Sequence, residues 1–391
     1  MTSQLLEHKW QETKTALMEG VTGSKAKNLD VVLENTRKYL SEQATSGATM
    51  SGNVATLNRV ILPVIRRVMP TVIANELIGV QPMTGPVGQI HTLRVRYADT
   101  TTNGATNIAG GDEALSPFKI AASYSGNDAS PAKGSATATL EGSAGKKLNV
   151  QILKQVVEAK SRKLSARWTF EAAQDAQAQQ GIDIEAEIMA ALAQEITAEI
   201  DQEILTSLRS LAGSAAGAFD QSAVSGTATF VGDEHAALAV LINQQANLIA
   251  QRTRRGAGNY AVVSSEALTI LQSATTSAFA RSTEGVFEAP TNTKFVGTLN
   301  NSMRVYVDGY AATGTDVLVG YKGSSEADAP AFYCPYIPLM SSGVVLDPST
   351  FEPVVSFLTR YGYVELSNTA SSLGNAADYL ARISISNVSF K

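Results

Sequence analysis

The most regular hydrophobic pattern in the chain lies between residues 183 and 208. Apolar residues recur there at every fourth position, at Ile184, Ile188, Leu192, Ile196, Ile200, Ile204 and Leu208. This spacing predicts one long helix of about 39 Å, since a helix rises about 1.5 Å per residue. A four-residue step advances about 40° per repeat around the axis, so the stripe faces different partners at the two ends of the helix. The pattern is typical of a structural spine.

A pattern of period two follows turns rich in Pro and Gly in the stretch GVQPMTGPVGQIHTLRVRY, residues 79–97. The alternation predicts a strand with two different faces. The first face is mainly apolar and the second is basic; they are formed by His91, Leu93, Val95 and Tyr97 and by Thr92, Arg94 and Arg96, respectively. A basic row of this kind suits either a phosphate group or the acidic side chains of another protein.

The segment after this strand offers little to bury. Residues 98–145 are almost all Thr, Ala, Gly, Ser, Asn and Asp. Because a loop of this length is uncommon inside a compact domain, we expect a projecting hairpin or arm. Its return strand is predicted at residues 155–170.

Residues 232–335 alternate between helical and extended patterns, which is typical of an α/β region. We predict a helix at 234–252, a buried strand at 259–264, and a second helix that is capped by Ser264. A hairpin is predicted to turn at Asn300 and Asn301, and another strand at 315–323. The tail predicts two further strands, around Pro348 and Pro353.

Length and charge narrow the class of protein. The chain has 391 residues, which favours two packed regions or one domain with long excursions. Hydrophobic residues make up 44% and aromatic residues only 6%, which suits close backbone packing and long irregular segments. The formal net charge of −5 argues against a dedicated nucleic-acid-binding protein, so any contact with DNA is expected to be local and non-specific.

The cellular context is predicted from cysteine usage and from apolar runs. Cys334 is the only cysteine, so the chain forms no disulfide with itself and no Cys-based zinc site, which indicates a reducing compartment. The first twenty residues lack the basic segment and apolar run of a secretory signal. No stretch approaches about 18 uninterrupted apolar residues, so we expect no contact with a membrane.

The chain offers few residues for chemistry. Its histidines, His8, His91 and His235, lack a second ligand at metal-binding spacing, and Cys334 has no helix start beside it to activate its thiol. A row of carboxylates on the predicted helix could bind a metal or act as an acid/base pair; it consists of Glu187, Glu195, Glu199 and Glu203. A solvated polar helix face explains this row better. We therefore predict no catalytic, cofactor-binding or metal-binding residue and no cofactor.

Basic clusters occur at four places in the sequence. They include Arg66 and Arg67, Arg94 and Arg96, Lys160 to Lys163, and Arg252, Arg254 and Arg255. Phosphate or nucleic-acid binding would need stacking aromatic residues among them, and only Tyr97 and Trp168 lie near any cluster. Salt bridges between subunits are the better interpretation.

Several long motifs resemble one known family. Six segments are similar to the major capsid proteins of T-even-type tailed phages. They are GVQPMTGPVGQIHTLRVRY, the segment from QVVEAKSRKLSARW to EIDQEIL, RRGAGNYAVVSS, KFVGTLNNSMRVYVDGY, VLVGYKGSSEADAPAFYCPYIPL and FEPVVSFLTRYGY. The motifs occur in the order of the family and cover about residues 60–365. The resemblance implies an α+β fold of the Hong Kong 97 type.

The resemblance also implies a division of the chain. We expect an N-terminal arm and linker at 1–78 and an extended loop, the E-loop, with its flanking strands at 79–170. A peripheral domain would combine 171–231 with 336–391 and contain the spine helix 183–208. An axial domain would span 232–335.

Two features depart from the family. Relatives usually carry an inserted domain between the E-loop and the return strand, and this chain passes from Gly145 straight into Lys146, which points to separate decoration proteins. Relatives also lose an N-terminal segment to a phage protease that cuts after Glu in a Leu-x-Glu or Ile-x-Glu context. The candidate position here is after Glu42 in Leu40-Ser41-Glu42, beside a Ser/Thr/Gly linker. Leu17-Met18-Glu19 and Leu5-Leu6-Glu7 also fit the pattern.

The function implied by the resemblance is that of a virion shell protein. Hexamers and pentamers of the chain would form an icosahedral head around double-stranded DNA, assembled in the host bacterial cytoplasm with scaffold, portal and decoration proteins as partners. Arg94 and Arg96 would then contact carboxylates of an adjacent chain. Three alternatives stay open: a pentameric vertex paralogue, an encapsulin-like bacterial nanocompartment, and an enzyme that uses the spine carboxylates.

Overall fold

A computed structural model gives the architecture of the chain. It describes residues 10–11, 14–15, 18, 26–35, 72–103, 106–112, 114, 124–126, 134–142, 144–180, 183–224, 231–253, 255–274, 279–281, 294–300, 302–312, 314, 316–326, 328–350, 352–366 and 376–388. The candidate cleavage position after Glu42 lies outside these residues, as do parts of the segment 98–145.

Helices and strands are both abundant, as an α+β fold requires. After a helical stretch at 26–35, the helices are α1 (Ala74–Leu77), α2 (Thr137–Leu140), α3 (Phe170–Gln180), α4 (Ile184–Leu211), α5 (Gln221–Val224), α6 (Val231–Thr253) and α7 (Ser265–Ser273). The first eight strands are β1 (Gly79–Val80), β2 (Val87–Tyr97), β3 (Thr101–Asn103), β4 (Thr106–Ile108), β5 (Leu148–Glu158), β6 (Lys160–Arg167), β7 (Gly217–Asp220) and β8 (Tyr260–Ser264). The others are β9 (Phe279–Arg281), β10 (Lys294–Leu299), β11 (Met303–Asp308), β12 (Val317–Gly320), β13 (Ala331–Ser341), β14 (Val345–Leu346), β15 (Pro353–Glu365) and β16 (Leu380–Ser386), with a 3₁₀ turn at Ala376–Tyr379.

Two sheets form the body of the protein. In the five-stranded sheet, β1, β13, β15 and β14 follow one another and β6 pairs with β15. The seven-stranded sheet has the order β7-β16-β12-β8-β11-β10-β9. Its central strand β8 is buried on both faces, which explains the uninterrupted apolar sequence YAVV. Tyr260 and Val262 point into one core cluster, and Ala261 and Val263 into a second cluster under α6 and α7.

Helix α4, which we call the spine helix, joins the two sheets. Its side chains from Leu192 to Leu208 enter a core cluster that also holds Val262 of the seven-stranded sheet and Phe357 of the five-stranded sheet. Asp183 caps the helix, since its side chain accepts a hydrogen bond from the Glu185 amide at 3.1 Å. The predicted spine helix is confirmed, and the four-residue stripe is fully buried from Leu192 onward.

Local signals in the sequence predicted several boundaries. Ser264 caps α7 through a hydrogen bond from the Ala267 amide, as expected. The hairpin of β10 and β11 turns at Asn300, whose φ of 50° is the left-handed conformation that Asn tolerates. Asn301 lies outside the described residues.

The predicted return strand at 155–170 is wrong. The strand that pairs with β2 is β5, residues 148–158, whereas residues 160–167 form β6 and pair with β15. The two strands separate at Ala159, whose amide donates to the Pro86 carbonyl at 2.9 Å and closes the β2–β5 pair. The prediction began this strand seven residues too late, although Leu148, Val150 and Ile152 already alternate with polar residues.

The pairing also bears on the expected division of the chain. Strands β7 and β16 belong to the seven-stranded sheet, although residues 217–220 and 380–386 were assigned to the peripheral region. Strand β13 begins within the predicted axial range and pairs with β15 in the five-stranded sheet. The division into arm, E-loop, peripheral and axial domains stays a prediction.

Candidate assembly surface

Strands β2 and β5 form a two-stranded antiparallel ribbon of eleven residue pairs, from Val87 opposite Glu158 to Tyr97 opposite Leu148. We call it the ribbon. Directly opposite residues share a face, so Leu93 lies beside Ile152 and Val95 beside Val150. The alternation that the sequence predicted for 91–97 is therefore present in the backbone register.

One face of the ribbon carries six exposed apolar side chains, interrupted by polar residues such as the His91–Lys154 pair, and we call it the apolar ribbon face. Its exposed hydrophobic residues are Val87, Leu93, Leu148, Val150, Ile152 and Val156. Leu93 and Ile152 each leave 68% of their surface accessible. Large apolar side chains rarely cluster in this way on a monomeric protein, so the face is suited to contact with another molecule.

The base of the ribbon is fixed to the five-stranded sheet. Val157 is buried with Met83, Phe332 and Cys334 in one cluster. Gly362 of β15 allows this approach, because a Cβ at that position would lie 2.4 Å from a methyl carbon of Val157. The Gln155 side chain also donates to the Glu365 carbonyl at 2.9 Å. The ribbon thus has an anchored base and a face that the described chain leaves open.

A contact between two tilted aromatic rings connects the other end of the ribbon to the segment 98–145. The rings of Tyr97 and Tyr124 lie 4.5 Å apart, and the Tyr124 hydroxyl donates to the Lys147 carbonyl. The Ala114 amide donates to the Val95 carbonyl at 2.8 Å. These contacts tie the described parts of the 98–145 segment to the ribbon.

The two candidate contact residues lie on the opposite face of the ribbon. Arg94 pairs in register with Gln151, and Arg96 with Asn149. The Arg94 side chain lies outside the described part of the chain. Arg96 is half-buried, and its Nε is buried without a hydrogen-bond partner among the described residues. The predicted contacts with an adjacent chain stay predictions.

Two of the four spine carboxylates, Glu199 and Glu203, belong to a hydrogen-bonded network with Arg162 and Tyr361. Arg162 of β6 donates to Glu199 at 2.7 Å, to Glu203 and to the Tyr361 hydroxyl, which itself donates to Glu203. Burial alone would raise the pKa of Glu203, but the hydrogen bonds from Tyr361 and Arg162 outweigh it and hold this pKa below its usual value. Glu187 and Glu195 are exposed.

Cys334 and His235, two other candidates for chemistry, are both buried. Burial raises the pKa of the Cys334 thiol to about 12, so the thiolate nucleophile is scarce at neutral pH. His235 is buried with its Nδ1 beside the Ser273 hydroxyl. Among the described residues, no group of three or more His, Cys, Asp or Glu side chains could hold a metal ion. None of the helices in the described ranges has the length and apolar character needed to cross a bilayer.

Two basic clusters that were expected to bridge subunits form pairs within the chain. Arg162 belongs to the network above, and Arg255 contacts Asp328 at 2.5 Å. Sequence reasoning missed the buried carboxylates Asp201 and Asp308. A signal was present for Asp201, because it falls on the helix face that Thr197, Leu205 and neighbouring apolar residues bury.

The described structure thus presents an anchored ribbon with an open apolar face on an α+β body. Comparison with known proteins gives the family. The chain belongs to the family described as "Major capsid protein Gp23", which matches residues 54–385.

Known relatives agree with this assignment. The chain is 31% identical to the major capsid protein of Vibrio phage KVP40, over 90% of this chain and 85% of that protein. It is 31% identical to the major capsid protein of Enterobacteria phage T6, over 83% of this chain and 81% of that protein. The KVP40 alignment runs over 442 positions, more than the 391 residues of this chain, so the relative carries inserted residues that this chain lacks.

Solved structures are also similar to the chain. One from Microbacterium phage Oxtober96 has a TM-score of 0.47 and 12% identity, and covers 80% of this chain and 90% of that chain. The capsid of Myoviridae phage XM1 has a TM-score of 0.42 and 11% identity, with 80% and 91% covered.

The main functional prediction is confirmed. The chain is a major capsid protein of a tailed phage and hence a structural component of the virion, with the α+β capsid fold that the resemblance implied. Copies of such a protein build a shell of oligomers. The encapsulin-like alternative is not favoured.

Proposed function

We propose that the chain assembles with copies of itself into hexamers and pentamers, which close into an icosahedral head around double-stranded DNA. The observation that carries this proposal is the apolar ribbon face of a Gp23-family chain. A two-stranded ribbon is at best marginally stable in water without a further packing partner. A second copy of the chain is the partner that a shell supplies at every position.

The ribbon would act as the E-loop, the arm by which one subunit reaches the next. Burying the six exposed side chains of the apolar ribbon face would stabilise the contact by about 25 cal/mol for each Å² of apolar surface. Because the arm buries little within its own chain, the shell rather than the single subunit would complete the fold.

Arg94 and Arg96 would make a second, polar contact between subunits. Both lie on the ribbon face opposite the apolar side chains. We propose that they contact carboxylates of an adjacent chain, which would fix the position of the arm more than add to the affinity.

The remaining partners follow from the role of a head protein. We propose assembly in the host bacterial cytoplasm on a scaffold around a portal, with decoration proteins on the finished shell and only non-specific contact with DNA. The net charge of −5 supports a weak hold on the genome.

Cleavage after Glu42 would remove part of the predicted arm during maturation. In this proposal the role of the chain is assembly, and we propose no catalytic step and no cofactor.

The size of the purified 391-residue chain tests this proposal. Gel filtration and negative-stain microscopy are expected to show rings, tubes or shells, and a stable monomer at high concentration would contradict it. Reconstruction of a phage particle then gives the copy number. Occupation of the hexameric positions supports the main shell protein, whereas occupation of the vertices alone would show the pentameric paralogue instead.

A further inference from the structure

The spine helix carries a buried carboxylate at its centre. Asp201 is only 1% exposed. Its Oδ1 accepts a hydrogen bond from the Ile73 amide at 2.9 Å. Its Oδ2 is buried and has no hydrogen-bond partner among the described residues. Burial of a carboxylate with one oxygen unsatisfied is costly, so this arrangement needs an explanation beyond packing.

Ile73 belongs to a short segment whose apolar side chains are buried in the core. Residues 72–78 include Val72, Ile73, Ala74, Leu77 and Ile78, all of which are buried in the cluster formed with the spine helix. This segment ends the predicted N-terminal arm and linker, 1–78. The hydrogen bond to Asp201 therefore lies where that arm would join the body of the protein.

The charges around Asp201 do not compensate its own charge. Asp308, at the end of β11, is fully buried and adds a second negative group. The cation nearest to that group is already engaged, because Arg209 donates to Asp308 at 2.9 Å. The Gln202 side chain also donates to Asp308, at 2.7 Å. Within the described part of the chain, Asp201 itself forms no ion pair.

The other titratable groups in this region have partners elsewhere or stay neutral. On the segment itself, Glu76 contacts Arg304 at 3.1 Å and the Tyr306 hydroxyl at 3.3 Å. Tyr333 of β13 faces Asp201 and is buried, which raises the pKa of its hydroxyl and keeps it neutral. On the spine helix, Glu203 belongs to the network with Arg162 and Tyr361.

Burial raises the pKa of Asp201 to about 7, the nearby Asp308 raises it further, and the Ile73 amide opposes both only in part. The geometry is consistent with this direction. A neutral carboxyl can still accept from the Ile73 amide through one oxygen, whereas an ionised one places a charge beside Asp308 with a single donor.

We propose that Asp201 is a proton-dependent latch: the neutral carboxyl holds residues 72–78 on the spine helix, and the ionised carboxylate weakens that hold. When the segment lifts, water reaches the carboxylate and its pKa returns to the ordinary value near 3.8. The closed state thus binds a proton more tightly than the open state. Its stability is greatest below pH 3.8 and is lost as the pH rises through about 7.

Hydrogen exchange on the purified full-length chain tests the latch. Exchange is followed by mass spectrometry from pH 5.5 to 8, with rates corrected for intrinsic chemical exchange, in the assembled form that the chain adopts. The opening constant of a peptide over 72–78 is expected to rise on the order of tenfold across this range. A peptide over β8, Tyr260–Ser264, is expected to stay protected throughout, which separates local opening from unfolding.

Two variants identify the group responsible. Asp201→Asn keeps an oxygen acceptor for the Ile73 amide and cannot ionise, so its exchange over 72–78 should no longer depend on pH. Glu195→Gln removes an exposed carboxylate from the same helix and should behave like the wild type.

Exchange over 72–78 that does not change with pH in the wild type would overturn the latch. An equal rise in Asp201→Asn would overturn it as well. Should that variant not fold, the wild-type series alone decides, since the latch requires protection to fall as the pH rises towards 8. The test uses no assembly readout, so its failure is distinct from failure of the proposed shell function.

Discussion

Carboxylates near the spine helix show how burial and partners act on a single side chain. Asp308 is fully buried but satisfied by Arg209 and Gln202. Asp201 is equally buried and has one donor for two oxygens. Glu203 is half-buried, and two donors hold its pKa below the usual value. For Asp201 and Glu203, the surroundings decide the direction in which the carboxyl pKa moves.

Glu203 leads to a prediction on stability and pH. At pH 7, Glu203→Gln is expected to lower the free energy of unfolding by about 1 kcal/mol, since solvent screens a side chain that is partly exposed. Because the pKa of Glu203 is lower in the folded than in the unfolded state, its contribution is present above about pH 4.5 and is lost as the pH falls through the folded value.

Urea unfolding of both proteins between pH 7 and pH 4 measures this effect. The difference between wild type and variant should shrink as the pH falls. Glu195→Gln, on the exposed side of the same helix, is the control and should change stability little. A difference that is constant over this range would show that the network does not depend on the charge of Glu203.

At the level of elements, the ribbon and the spine helix differ in how far the sequence predicted them. The spine helix was predictable, because its apolar stripe has a helical period over seven repeats. The ribbon was only half predictable: the alternation marked β2, but β5 is exposed and polar at many positions and its pairing depends on register with a distant strand. The exposed apolar ribbon face became visible only when the two strands were placed side by side.

The ribbon gives a prediction on assembly. Ile152→Asp puts a charge in the middle of the apolar ribbon face, where burial against a second copy would leave it uncompensated. We expect a folded chain that no longer forms rings or shells, measured by gel filtration and electron microscopy, with circular dichroism as the test of folding.

Gln151→Asp is the matched control for this variant. It introduces the same charge at the neighbouring position, on the opposite face of the ribbon. It should assemble, or at most assemble more weakly through an effect on Arg94, with which Gln151 pairs in register. Normal shells from Ile152→Asp would exclude the apolar ribbon face from the contact between subunits.

At the scale of the whole molecule, the described residues form a body with buried hydrophobic clusters and a ribbon whose apolar face is exposed. Side chains from both sheets meet in one cluster on the spine helix, and a second cluster lies under α6 and α7. The base of the ribbon packs on the five-stranded sheet in a separate cluster around Val157. Stability of the body and stability of the arm are therefore expected to respond to different conditions.

Assembly should raise thermal stability by mass action, because the shell binds the folded chain and not the unfolded one. The assembled wild type is expected to melt roughly 10 °C or more above the unassembled Ile152→Asp variant in differential scanning calorimetry. Diluting the wild type until it dissociates should bring its melting temperature down to that of the variant. Equal melting temperatures at all concentrations would show that intersubunit contacts contribute little to folding.

The sequence by itself determined the features that neighbouring residues encode. These include the spine helix, the strand at 87–97, the Ser264 cap and the Asn300 turn, together with motifs long enough to indicate the family. Each depends on a local period or on the conformational preference of one residue type. Such signals survive without knowledge of the fold.

Only the tertiary structure decided which distant groups meet. It paired Arg162 with the spine carboxylates Glu199 and Glu203, and it placed β5 rather than β6 opposite β2. It also brought the Ile73 amide to Asp201 across 128 residues of sequence. Partners so far apart in the chain are selected by packing and by the cost of burying a charge, and no local pattern records that choice.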